Sequence, residues 1–324
     1  MALKLPGQWV WDSWFAFDGE QHHVFYLQAS RALGDPERRH RNVSVGHAIS
    51  NDLKNWTVVA DALAPSESPA ADSWTTWTGS VVREDNGTWR MFYTGTSRED
   101  KGLRQTVCVA TSSDLMTWTK AEQLPIVAAD ARWYKTLAAG FEHEPFRDPW
   151  VFKLPGDTDW TMLTTAGSIE STSRSDEAVM GVAKSADLIN WQVQAPLGKP
   201  GQGFGETEVF QFEIVDGVPI ILFCCGPLWL SAERKAAGEI GGVYSFSVAP
   251  DLSDVDFNRA RLFPDTSLYA SRLVQHTDGG WNLIAFINQV DGQFVGELCD
   301  PIPVTAQAGL GLVPRVQKTA ISYD

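Results

Sequence analysis

One phrase returns along this chain and sets the period of everything else. It reads Gly46-His-Ala-Ile-Ser-Asn-Asp-Leu-Lys-Asn-Trp56, then Val109-Ala-Thr-Ser-Ser-Asp-Leu-Met-Thr-Trp118, then Val182-Ala-Lys-Ser-Ala-Asp-Leu-Ile-Asn-Trp191. A worn copy from Phe246 to Phe257 keeps Asp251-Leu252 and puts Phe257 where the others have Trp. A spacing of about 60 to 75 residues is too long for most solenoid repeats and suits a four-stranded propeller blade with its loops. In each copy, alternating residues lead in as a strand. Ser and Asp then begin a turn by bonding their own backbone, and Leu and Trp anchor the next strand.

Between the copies lie strand-like runs such as Trp89–Gly95, Trp160–Ala166 and Pro219–Cys225, with His22–Gln28 and Trp281–Asn288 in the same role at the two ends. Hairpin turns precede several of them: Asp85-Asn-Gly87, Asp216-Gly217 and Asp278-Gly-Gly280. Counting one such run per blade predicts five blades, each a four-stranded antiparallel sheet. No Pro/Gly/Ser-rich linker divides the chain, so residues 1–324 are expected to form a single catalytic domain. A pair of β-sandwiches is the competing all-β reading, and the long repeated phrase disfavours it. The 14 Trp, 16 Phe and 27 Gly suit pleated, half-buried surfaces broken by turns.

A formal net charge of −14 repels phosphate backbones and argues against nucleic acid as a partner. Cys224 and Cys225 sit side by side in an apolar run, and neither they nor Cys108 and Cys299 show disulfide or zinc spacing. No EF-hand-type calcium loop is present, and no metal or other cofactor is expected. The first eleven residues lack an apolar signal-peptide core, and no run approaches membrane-spanning length. The expectation is a cytoplasmic protein with no membrane partner.

A propeller gathers its innermost strands around a central channel, so acidic residues at the mouths of those strands should converge. Asp12 lies in Trp9-Val-Trp-Asp-Ser-Trp14, Asp148 in Phe146-Arg-Asp-Pro-Trp-Val-Phe152, and Glu206 and Glu208 in Gly203-Phe-Gly-Glu-Thr-Glu-Val-Phe210. One such acid is most simply a solvated turn residue. Three in equivalent places in three blades suggest a pocket.

From about Trp9 to about Pro303 these motifs resemble the clan of glycoside hydrolase families 32 and 68, the invertase- and levansucrase-like β-fructofuranosidases. The opening segment Trp9–Phe25, the second-blade phrase Val45–Trp56, Trp77-Thr-Gly-Ser80 with Phe92-Tyr-Thr-Gly95, Phe146-Arg-Asp-Pro149 and Tyr269-Ala270 follow in family order. The resemblance implies that Asp12 is the nucleophile, Glu208 the general acid/base and Asp148 a transition-state stabiliser beside Arg147. It also places Trp77 and Ser80 at the pocket. Trp11 could stack on a sugar face, Glu206 could orient substrate hydroxyls or an arginine, and His143 could line the rim. Trp14 and His47 read as packing residues.

The acid/base position departs from the family, whose Glu is followed by Cys-Pro or Arg-Pro. Here the chain reads Glu208-Val-Phe, and Glu206 remains open as the acid. Family 32 normally carries a C-terminal β-sandwich, whereas only about 20 residues follow Pro303. The expected activity is therefore retaining hydrolysis of small β-fructofuranosides (sucrose, fructo-oligosaccharides), with possible fructosyl transfer. Two alternatives stay open: an inverting arabinanase/xylosidase-type propeller, and a non-catalytic sugar-binding propeller.

Overall fold

The computed structural model describes residues 3–315 and is almost entirely β. The first blade holds β1 (Gln8–Phe17), β2 (His22–Ser30), β3 (Ser44–Ser50) and β4 (Thr57–Val58). The second holds β5 (Thr75–Arg83), β6 (Trp89–Thr96), β7 (Gln105–Ser112) and β8 (Thr119–Lys120). The third holds β9 (Phe146–Lys153), β10 (Trp160–Gly167), β11 (Ala178–Ser185) and β12 (Gln192–Leu197). The fourth holds β13 (Glu208–Val215), β14 (Val218–Cys225), β15 (Gly242–Ser247) and β16 (Arg261–Leu262). The fifth holds β17 (Leu268–Gln275), β18 (Trp281–Val290), β19 (Gln293–Leu298), β20 (Ile302–Gln307) and β21 (Gly311–Pro314). Neighbouring strands are antiparallel throughout, giving the expected five-bladed propeller.

The inner strands touch in the cycle β1, β5, β9, β13, β17 and back to β1, which closes the ring. Apolar side chains pack between the faces of successive blades. Phe92, Phe146 and Met162 join the second and third, and Phe210, Phe223 and Leu163 join the third and fourth. Each such side chain contributes about 1.5–3 kcal/mol by leaving water. The seam between the last and first blades is made by Trp9 edge-on to Phe294 and by Arg31, whose Nη2 donates to the Val295 carbonyl at 2.8 Å.

The fifth blade departs from the expected four strands. Its ten-residue β18 is long enough for two partners: Trp281–Leu283 pair with β20, while Phe286–Val290 pair with β19. Asp291 and Gly292 both have positive φ at the β18–β19 connection, the backbone a two-residue type I′ hairpin requires.

The repeated phrase is the turn after the third strand of a blade. Asp52, Asp114 and Asp187 each accept two backbone N–H groups through Oδ1 and a serine hydroxyl two residues back. Leu53, Leu115, Leu188 and Leu252 all sit at φ near 60° and are buried. The left-handed residue turns the chain while its side chain stays in the core. Trp118 and Trp191 close the turn by donating to the carbonyls of Leu115 and Leu188.

At one depth every inner strand carries one residue more than its partner. The breaks fall at Val10/Ser13 on β1, Trp77/Gly79 on β5, Arg147/Trp150 on β9, Glu208/Gln211 on β13 and Tyr269/Arg272 on β17. Such bulges bend the strand and re-aim its side chains. Asp148, Val209 and Ala270 take up the left-handed region there, an unfavourable place for a β-branched residue such as Val209.

Arg272, 1% exposed, spans these bulges from the fifth blade. Its Nη1 donates to the carbonyls of Val209 (3.0 Å) and Phe210 (2.8 Å) in the fourth blade, and its Nη2 to Gly79 in the second (3.3 Å). Its guanidinium lies 5.0 Å from the ring of Trp150 in the third. Arg272→Met removes the donor to three buried carbonyls and a positive charge that Asp12 and Asp148 both interact with. We expect a loss of about 3–5 kcal/mol in urea unfolding; a loss below about 1 kcal/mol would show that the bulges hold themselves.

Candidate active site

The five bulges open into one cavity of 330 Å³ at the mouth of the channel. Asp12 comes from β1, Thr78 from β5, Arg147 and Asp148 from β9, Glu206 and Glu208 from the entry to β13, and Tyr269 from β17. Each inner strand therefore supplies at least one polar group.

The carboxylates are tied differently. The Thr78 hydroxyl donates to Asp12 Oδ2. Asp148 Oδ2 accepts from Thr165 at 2.9 Å, and its backbone N–H donates to Thr94 at 2.8 Å, which secures the left-handed residue. Arg147 Nη2 is shared between Glu206 Oε2 (2.8 Å) and Glu208 Oε1 (2.7 Å), while Nη1 donates to Gln105 at 2.9 Å. The second oxygen of Glu208 accepts from the Tyr269 hydroxyl. Arg147 is thus a clamp that fixes two glutamates, and Tyr269 orients one of them.

Trp11, Trp77, Arg147 and Glu206 line the cavity as the sequence suggests, together with Asp12, Asp148 and Glu208. Ser80 and His143 do not. Ser80 is 1% exposed, and its hydroxyl accepts from the Val151 N–H at 3.2 Å, joining the second and third blades. It is two residues below Thr78 along β5, about 7 Å deeper in the barrel at a strand's rise. His143 stands by Glu177, 3.8 Å away, where Glu177 also pairs with Lys135. Trp14 and His47 are fully buried, as packing residues should be.

Several lining residues have no place in the sequence argument. Arg39 and His40 arrive on the short 3-10 turn Pro36–Arg41, capped by the Asp35 side chain, between β2 and β3. The His40 carbonyl accepts from Trp77 Nε1 at 2.9 Å, and Arg39 lies 4.1 Å from the Phe294 ring centroid. Asp35-Pro36 is a legible turn start, but nothing local says that its charges fold inward. Gln105, at the start of β7, and Asn288, inside β18, are single polar residues with no pattern to mark them.

Burial raises the Asp12 carboxyl to about 6, against the Thr78 hydrogen bond and with the charge of Glu208 adding to the rise. Burial likewise raises Asp148 to about 7, opposed by Arg147 and reinforced by Glu208 and Asp12. Burial lowers Arg272 to about 10, and Asp148 and Asp12 work to keep it charged. A carboxyl raised on folding binds its proton more tightly in the native state. Stability therefore falls as pH climbs from about 4 through these values. Asp12→Asn and Asp148→Asn should each add about 1–2 kcal/mol at pH 8, with the gain vanishing at pH 4. Thermal unfolding across that range measures this, and a gain equal at both pH values would contradict it.

Residues 12–295 match the model for the N-terminal domain of glycosyl hydrolases family 32. A β-fructofuranosidase, insoluble isoenzyme 2, from Oryza sativa subsp. indica is 29% identical over 181 residues, which are 54% of this chain and 28% of the relative. The chain thus matches under a third of that relative's length. Among solved structures, the Bombyx mori GH32 β-fructofuranosidase BmSUC1 superposes with a TM-score of 0.75 at 18% identity, covering 98% of this chain and 64% of that one. An inulosucrase from Halalkalicoccus jeotgali bound to kestose gives 0.73 at 20%, covering 94% and 86%. These likenesses match the propeller seen here. With a family model matched over most of its length, from Asp12 to Val295, the chain belongs to family 32 of the glycosyl hydrolases.

Proposed function

We propose that this chain is a retaining glycosidase that cleaves β-fructofuranosyl linkages of small fructosides, with fructosyl transfer open to it when a sugar replaces water as acceptor. The observation that carries the reading is the meeting of Asp12, Asp148 and Glu208 at the bulged ends of three inner strands, around one sugar-sized cavity. The curated relatives named as β-fructofuranosidases support the substrate class.

Asp12, ionised, attacks the anomeric carbon and forms a fructosyl ester. Glu208 gives its proton to the leaving oxygen, then takes one from the water that opens the ester. The reaction needs a carboxylate at Asp12 to attack and a proton brought by Glu208 to the leaving oxygen. Once the ester forms, Asp12 no longer carries charge, and an ionised Glu208 loses a repulsive neighbour. Tyr269 and Arg147 hold Glu208 in place through this exchange, which supports Glu208 over Glu206 as the acid/base. Glu206, bonded only to the Arg147 guanidinium among the groups named here, keeps that clamp oriented. Asp148, near neutral pH able to donate or accept, binds fructose hydroxyls. The cavity volume favours sucrose and short fructo-oligosaccharides over polymer chains. Four free thiols suit a reducing compartment, and the cytoplasm is the proposed location.

The test is incubation with sucrose, inulobiose, levanbiose and nystose, with the first-formed fructose anomer read by NMR. Retention gives the β anomer first; the α anomer first would establish inversion and overturn the mechanism. Asp12→Asn should lower kcat/KM on the order of 10⁴-fold, and unchanged turnover would remove Asp12 from the chemistry. In the wild type, kcat/KM should fall roughly tenfold per pH unit below about 6 as Asp12 takes a proton.

A further inference from the structure

The channel has a second mouth. On the face opposite the catalytic cavity, the far ends of β1, β13 and β17 and the start of β18 surround a cavity of 440 Å³. Trp150 lies in its wall, and the guanidinium of Arg272 packs on that ring, 5.0 Å from its centroid. The two cavities have no lining residue in common.

Phe15, Phe17, Trp150 and Trp281 supply flat apolar walls, and Phe17 is 41% exposed at the rim. Polar groups interrupt them. His22 is 2% exposed, and its Nε2 has no hydrogen-bond partner among the described residues. The Trp150 Nε1 is also buried and unpartnered. Glu213 has one hydrogen bond, from Gln211 at 3.3 Å, and no ion-pair partner among the described residues. A buried polar group left unpaired costs about 1–3 kcal/mol, so two at one cavity mark a place where a ligand supplies what the protein does not.

The chemistry of that ligand follows from the lining. Among the described residues no lysine or arginine lines the cavity, so an anion would meet Glu213 without a lysine or arginine to balance it. Burial, with His276 adding to it, depresses His22 and keeps its imidazole neutral. Burial raises the Glu213 carboxyl to about 7, so near neutrality it can donate or accept a hydrogen bond. Aromatic walls with uncharged donors and acceptors between them match a ring that has apolar faces and a rim of hydroxyls.

We propose that this opposite mouth is a second, non-catalytic sugar-binding site, holding a neutral mono- or disaccharide against Trp150 and Trp281 through His22 and Glu213. The inference stands on this cavity alone and survives a different outcome at the catalytic one.

Hydrogen–deuterium exchange localises binding without relying on turnover. In the Asp12→Asn protein, which keeps sucrose intact, sucrose or fructose should slow exchange several-fold in segments 13–22 and 273–281. The protection should disappear with Glu213→Gln. It should also disappear with Thr277→Trp, which places bulk at an exposed loop position on the mouth and leaves the core untouched. In an otherwise wild-type chain both substitutions should leave sucrose turnover unchanged. Protection confined to segments around Asp148 and Glu208, or retained in both variants, would overturn the proposal. So would protection by tetramethylammonium chloride but by neither sugar, since that would make the cavity a cation site.

Discussion

A single buried charge organises the middle of this molecule. Arg272 reaches from the last blade to the propeller axis, satisfies carbonyls on two other blades and packs on a tryptophan of a third. Those carbonyls include Val209, whose β-branched side chain sits in a left-handed backbone that it would not choose alone. The guanidinium therefore holds a strained bulge closed. Its charge also interacts with Asp148 and Asp12, and works against the burial that pushes the Asp12 carboxyl toward neutrality. One residue links the geometry of the ring to the electrostatics of the site.

Scaffold and site use different backbone devices. The scaffold repeats one turn, in which an aspartate bonds successive N–H groups and a buried leucine at positive φ reverses the chain. That turn lies between the third and fourth strands of the first four blades and recurs because those blades solve the same packing problem. The site uses the inner-strand bulges, which recur in position and not in residue: Asp12, Thr78, Asp148, Val209 and Ala270. Five bulges at one depth with different side chains make an asymmetric pocket from a quasi-symmetric ring.

This division explains what could be read from sequence. The turn has a rigid vocabulary of Ser, Asp, Leu and Trp, so the blades and their number were legible before any coordinates. Asp12, Asp148 and Glu208 were legible because each stands in a distinctive phrase at a strand mouth. Strand alternation alone cannot follow a bulge, and Ser80 shows the cost: it belongs to a pocket motif yet lies below the pocket, pinning Val151. Arg39 and His40 escaped because their turn folds into the pocket through the Trp77–His40 contact, a tertiary event with no local signature. The fifth blade's additional strand escaped because a ten-residue β18 with two partners reads the same as one with a single partner.

The central claim is that Asp12 becomes covalently joined to fructose during turnover. Rapid acid quench of the wild-type protein with excess sucrose, followed by peptide mass mapping, tests it most directly. The account predicts one anhydrofructose unit on the peptide containing Asp12, appearing before steady state and absent in Asp12→Asn. An adduct on the peptide containing Glu206 and Glu208, or turnover with no adduct at any time point, would contradict it.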